Sequence, residues 1–303
     1  MMQAYDRRLA LGRAMALDAA SFARTRFRDP TLEIQEKAPN DIVTEVDTAI
    51  ETDLRRRIKE AFPTDAVFGE ELGLDSDGSS VETGWIWLID PIDGTTNFAT
   101  GLSYYCVSLA LIGEGQPRAA WICDPEADEL FAATDGKAFD GANRELAVSG
   151  RRNLSGAVVG LGFSERHPGN LNGSVVSELV SASIEYRRLG SGALSLAHVA
   201  AGRLDGYFEP HMNPWDAVGG LYIAACAGAK TLDYVGQDGL RQGAPAFAAT
   251  AAIAQPLLNL MPPQLQGRLI GRPAAQQPPR PSVGGGGPAT TVPFGDPNQG
   301  AEK

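Results

Sequence analysis

The chain has 303 residues, 43% hydrophobic and 21% charged, which suits one large or two small soluble domains with a sizeable core. Its 37 acidic residues outnumber 26 basic ones; the resulting net charge of −11 argues against a broad nucleic-acid or anionic-membrane footprint. Three widely spaced cysteines, Cys106, Cys123 and Cys226, indicate neither a disulfide framework nor a thiolate metal site, and no run of about 18 apolar residues marks a membrane span.

Met1 to Arg8 carries no apolar signal core, so a reducing cytoplasm is the expected setting. Residues 4–27 are rich in Ala, Arg and Leu, with few breakers, and read as a helix. Residues 45–61 read as a second helix, entered at Asn40-Asp41 and closed by Pro63. Trp85 to Ile89 is a short apolar run, consistent with a buried strand. Strands follow at 104–112 and 119–124. Leu130–Thr134 and Ala138-Phe139 flank Asp135-Gly136, a hairpin signal. Residues 157–162 read as a strand and Ala193–Ala201 as a helix ended by Gly202. Gly206–Glu209 reads as a strand. A helix opens at Asn213-Pro214, Asn as cap and Pro at the first helical position. From Pro273 onward, 13 of 31 residues are Pro or Gly, a composition expected to stay disordered. The expected organisation is a catalytic domain over 1–270 and a disordered tail over 271–303.

The chemistry centres on Asp90-Pro91-Ile92-Asp93-Gly94-Thr95-Thr96-Asn97-Phe98, directly after the apolar strand. Two carboxylates stand three residues apart, and Gly94 permits a tight turn. Thr95-Thr96 can open a helix whose N–H groups suit a phosphate. Carboxylates beside a phosphate seat repel it unless a cation lies between, so the arrangement implies a metal. Taken alone, Asp90 and Asp93 also suit a simple turn, because Asp-Pro and Asp-Gly pairs are common turn formers. Gly69-Glu70-Glu71 alone suits a solvated loop. Asp216, after Pro214-Trp215, alone suits a helix dipole. Thr44-Glu45-Val46-Asp47 fits a capping box.

Gly69-Glu70-Glu71, the nonapeptide Asp90–Phe98 and Trp215-Asp216-Ala217 together resemble, in order and spacing, the inositol monophosphatase family. That family belongs to the lithium-sensitive, magnesium-dependent phosphatases, and the resemblance runs from about residue 5 to about 265. It implies an α/β (α+β) fold, a layered α-β-α-β-α sandwich of the inositol monophosphatase and fructose-1,6-bisphosphatase type, usually a homodimer. It implies that Glu70, Asp90, the Ile92 carbonyl, Asp93 and Asp216 bind Mg²⁺. The residues themselves agree, since hard oxygen donors without His or Cys favour Mg²⁺ or Mn²⁺ over Zn²⁺. The resemblance further implies that Thr95, with Asp47, orients or deprotonates the attacking water, and that Glu70 holds a metal partly through water. The amides of Gly94 and Thr95, and Asp93, would face the phosphate. Ser191, in Gly190-Ser191-Gly192, and Glu209 would contact a polyol. Read bare, Glu209 is a surface strand end before Pro210.

Ser164 is a weaker pocket candidate. Lys37 reads as solvated, with charge balance at the site as the alternative. His198 reads as structural, His211 as a rim residue and His167 as a loop residue. Ala227-Gly228-Ala229-Lys230 departs from the paired glycines common in relatives, which bears on local packing. The implied activity is hydrolysis of inositol monophosphate or a related polyol phosphate. Alternatives on the same scaffold are histidinol phosphate, fructose 1,6-bisphosphate and 3′-phosphoadenosine 5′-phosphate. A different class is a transcription-machinery interaction protein. No membrane partner is expected, and with no basic stripe any RNA contact would run through another protein.

Overall fold

The computed structural model describes residues 2–38, 41–75, 84–164 and 169–273. The expected tail therefore lies, from residue 274 onward, outside the described residues, as does His167. The chain begins with α1 (Met2–Arg26), a hairpin of β1 (Ile34–Ala38) and β2 (Asp41–Thr44), and α2 (Glu45–Ala61). Then come β3 (Ala66–Gly69), β4 (Gly73–Asp75), β5 (Trp85–Asp93) and the short α3 (Thr95–Thr100). A meander follows: β6 (Cys106–Gly113), β7 (Gln116–Asp124), β8 (Glu129–Thr134) and β9 (Lys137–Asp140). The second half holds β10 (Val158–Leu161), α4 (Gly169–Ser181), β11 (Glu185–Arg187), α5 (Gly192–Ala200), β12 (Gly206–Met212) and α6 (Pro214–Cys226). It closes with β13 (Ala229–Leu232), α7 (Gly239–Gln242), β14 (Ala244–Thr250), α8 (Ala254–Leu258) and β15 (Leu269–Ile270).

Seven strands form one sheet in the order β4-β3-β5-β6-β7-β8-β9, and six form another, β11-β10-β12-β14-β13-β15. Strand side chains alternate between faces. In β5, Trp87 and Ile89 pack with α1 and α2 residues such as Met15, Ile50 and Leu54. Ile86 and Leu88 face the other way, into a core shared with α5, α6 and the inner face of the six-stranded sheet. The outer face of that second sheet packs Val159, Phe208 and Phe247 against Val175 and Leu179 of α4 and Leu257 of α8. The result is the expected five layers, helix, sheet, helix, sheet, helix. No helix among the described residues is long and apolar enough to cross a membrane.

Two boundaries differ from the expectation, the start of α2 and the end of β5. Asp41 opens β2 rather than α2, and Thr44 caps that helix, accepting from Val46 N–H. The carboxylate of Asp47 accepts from Thr44 N–H, completing the capping box. Pro91 sits inside β5 although it has no N–H. It can do so because β3 pairs with β5 only as far as Ile89, and the pairing with β6 shifts register between Asp90 and Asp93.

Candidate active site

The carboxylates converge because strand ends and helix starts meet between the sheets. Asp90 shares the face of Ile86 and Leu88, toward α6, and is buried. Glu70 follows β3, and its N–H donates to Ile89 O at 3.1 Å, so it stands beside Asp90. Asp216 lies in the first turn of α6, where Asn213 N–H donates to its Oδ2 at 3.3 Å. Trp215 fixes that turn by packing edge-on against Phe68 of β3, ring centres 5.0 Å apart. Glu70, Asp90 and Asp216 each place an oxygen within 4.8 Å of the others.

Burial pushes all three carboxyls upward. Glu70 rises further through the charge of Asp216, and Asp90 through those of Glu70 and Asp93. Asp216 is raised to about 7 by burial and then by Asp93. Asp90 Oδ1 is buried and finds no hydrogen-bond partner among the described residues. Three mutually repelling carboxylates with an orphaned oxygen suit a hard divalent cation, which would satisfy that oxygen and offset the repulsion. The residues present therefore fit a metal.

Asp93 stands apart from the trio, turned to the start of α5. Its Oδ2 accepts from Ser191 Oγ at 2.5 Å and Ala193 N–H at 2.6 Å, and its Oδ1 from Gly192 N–H at 3.3 Å. Burial raises its pKa, opposed by these donors. Gly94, at φ 98°, makes the turn that follows. A Cβ there would meet Gly190 O and Tyr104 O at 3.1 Å, so glycine answers both conformation and space. Thr95 Oγ1 donates toward Ile92 O at 2.9 Å and lies 3.3 Å from Asp47 Oδ1. Asp47 thus divides its oxygens: Oδ2 takes Thr44 N–H at 2.9 Å and Thr44 Oγ1 at 2.5 Å, leaving Oδ1 for Thr95. Burial holds its pKa above the usual carboxylate value.

A cavity of about 150 Å³ opens beside the carboxylates, lined by Asp93, Ser191, Arg188, Tyr207, Glu209 and Asp216 among others. Glu209 is within β12, not at a surface strand end, and Tyr207 Oη donates to its Oε2 at 2.5 Å. Burial pushes Glu209 up to about 8. Arg188 is the cation that the sequence reading passed over. Its guanidinium stacks over Phe163 at 5.0 Å, and its charge opposes the rise at Glu209. Lys37 is not simply solvated, since Nζ lies 2.6 Å from a Glu71 oxygen. Ser164 is buried outside the cavity lining. His211 abuts Gly243 rather than lining the cavity. His198 is structural, with its Nδ1 3.2 Å from Tyr104 Oη and its pKa lowered by burial to about 4.

A five-layered fold with a partly buried cluster of oxygen donors between its sheets defines a layered α/β protein with a candidate metal centre. The chain belongs to the inositol monophosphatase family, whose sequence model matches residues 5–271. It is 35% identical over 246 residues to a protein of Pseudomonas aeruginosa named Nus factor SuhB, covering 80% of this chain and 90% of that one. An inositol monophosphatase from Anabaena superposes with a TM-score of 0.72 at 30% identity, covering 86% of this chain and 98% of the other. An inositol monophosphate-bound IMPase-II, SaIMPase-II, matches with a TM-score of 0.66 at 26% identity, covering 83% and 92%.

Proposed function

We propose that the chain is a Mg²⁺-dependent phosphomonoesterase, able to use Mn²⁺, acting on inositol monophosphate or a related polyol or sugar phosphate. The observation that carries this reading is the convergence of oxygens of Glu70, Asp90 and Asp216 within 4.8 Å, with Asp90 Oδ1 left without a partner among the described residues. Asp93 and the Ile92 carbonyl complete the proposed ligand set. A bound ion would polarise the ester, offset the charge developing on it and acidify water. Asp47 and Thr95, 3.3 Å apart, would orient the attacking water and take its proton. The amides of Gly94 and Thr95 would donate to phosphate oxygens. Ser191 and Glu209 line the cavity and would hold the polyol, the carboxylate accepting from its hydroxyls. The family resemblance also supports a cytoplasmic homodimer.

The test is phosphate release from inositol 1-phosphate, fructose 1,6-bisphosphate, histidinol phosphate and 3′-phosphoadenosine 5′-phosphate, with and without Mg²⁺ and Li⁺. Mg²⁺-dependent, Li⁺-inhibited preference for inositol 1-phosphate is expected. Preference for another ester would keep the chemistry and move the substrate. No turnover with either Mg²⁺ or Mn²⁺ would overturn the reading.

The name of the Pseudomonas relative favours a second reading, a partner of the transcription machinery. Asp93→Asn separates the two. It should abolish turnover and leave the fold intact, so rescue of a deletion phenotype by that variant would assign the main role to binding.

A further inference from the structure

Glu51 is a fully buried carboxylate on α2 with no place in the chemistry above. It lies four residues after Asp47, one helical turn along the same face. Its Oε2 accepts from Glu71 N–H at 2.8 Å and its Oε1 from Leu72 N–H at 3.1 Å. Glu70 N–H, the donor just before these, binds Ile89 O, the carbonyl preceding Asp90. Three consecutive backbone donors of the Glu70 turn are therefore tied, one to the strand of Asp90 and two to Glu51. Arg55 locks the carboxylate from behind, with Nε 2.8 Å from Oε1, and reaches across to Gly73 O, where the turn ends. Gly69 leaves room for this: a Cβ there would meet Glu51 Oε1 at 2.2 Å.

We propose that Glu51, backed by Arg55, is a positioning residue that fixes Glu70 relative to Asp90 and Asp47, so that the carboxylate cluster is pre-formed for its cation. The inference rests on the metal reading above. Glu70 meets repulsion from Asp216 within the cluster, and an untethered turn would relieve it by swinging Glu70 outward. A buried ion pair that held only the fold would stabilise the chain without touching metal affinity. Glu51 should do both, because its two acceptors end on the turn that carries a ligand.

The experiment measures Mn²⁺ binding by calorimetry and thermal unfolding on the full chain, for wild type, Glu51→Gln and Glu51→Asp. Glu51→Gln removes one acceptor and the charge facing Arg55. Glu51→Asp keeps the charge and loses the reach, which separates positioning from simple electrostatics. Both should weaken Mn²⁺ binding at least tenfold and speed hydrogen exchange at the Glu71 and Leu72 amides at least tenfold. Asp65→Asn is the control: Asp65 holds the other end of β3 through a buried ion pair with Arg8. It should lower the melting temperature and leave Mn²⁺ affinity unchanged. A folded Glu51 variant with lowered melting temperature and wild-type Mn²⁺ affinity would overturn the inference alone. Wild-type chain that bound no Mn²⁺ would overturn the metal reading and this inference with it.

Discussion

At Asp47 the two oxygens face different neighbours, Oδ2 the Thr44 cap and Oδ1 the Thr95 hydroxyl. The cap therefore leaves one oxygen for the proposed catalytic role, a compatibility that the spacing of Thr44 and Asp47 alone left open. Asp47→Asn keeps an oxygen for the cap, and Asn is itself tolerated near helix starts. It removes the proposed base. Turnover should fall by about 10²- to 10⁴-fold, the usual contribution of a positioned base, with little change in melting temperature. A variant that unfolded easily yet turned over normally would leave Asp47 as a cap alone. Gly162 offers the matching test at the proposed polyol end. A Cβ there would lie 2.0 Å from Glu209 Oε2 and 2.4 Å from Tyr207 Oη, so both side chains must move. Gly162→Ala should raise KM for the preferred ester about tenfold, the scale of a misfit pocket, with Mn²⁺ affinity unchanged.

The start of α5 is the element that joins the two halves of the site. Ser191 caps it, accepting from Leu194 N–H at 3.3 Å while donating to Asp93 at 2.5 Å. Ser191→Ala removes both, and should cost about 1 kcal/mol of stability from the cap alone. Denaturant unfolding checks this, and an unchanged midpoint would mean the backbone N–H groups suffice. Elements such as α2, β5 and α6 were legible because an apolar pattern and a boundary signal coincide. Thr44 caps α2, Pro91 interrupts the end of β5, and Pro214 opens α6. β14 was not legible, since four of its seven residues are Ala, a weak strand former that is accepted there because it is buried between layers. β3 is four residues long, too short to show a period. Glu51 carried no functional signal in the sequence beyond its place one turn after Asp47 on α2, and only the fold shows it buried. Arg188 stands in no motif of the sequence, and only the fold brings it to the cavity of Glu209.

Across the whole molecule, folding gathers acid that water would keep apart. The seven-stranded sheet and its loops supply Glu70, Asp90 and Asp93, while β12 and α6 supply Glu209 and Asp216. Each has a pKa raised by burial, Asp216 to about 7 and Glu209 to about 8, from ordinary values of 3.8 and 4.5. Between the ordinary and the raised values the folded chain holds protons that the unfolded chain has released. Stability must then fall as pH rises through that window. The melting temperature of metal-free protein should drop progressively from about pH 5 to pH 8. A divalent cation held by Glu70, Asp90 and Asp216, as proposed, would compete with those protons, so it should stabilise more at pH 8 than at pH 5. Glu209→Gln should flatten the upper part of the metal-free decline without altering the Mg²⁺ response. Thermal unfolding across that range, in chelator and in excess Mg²⁺, gives the answer. Equal Mg²⁺ stabilisation at both ends would mean that protons and cation do not compete for one cluster.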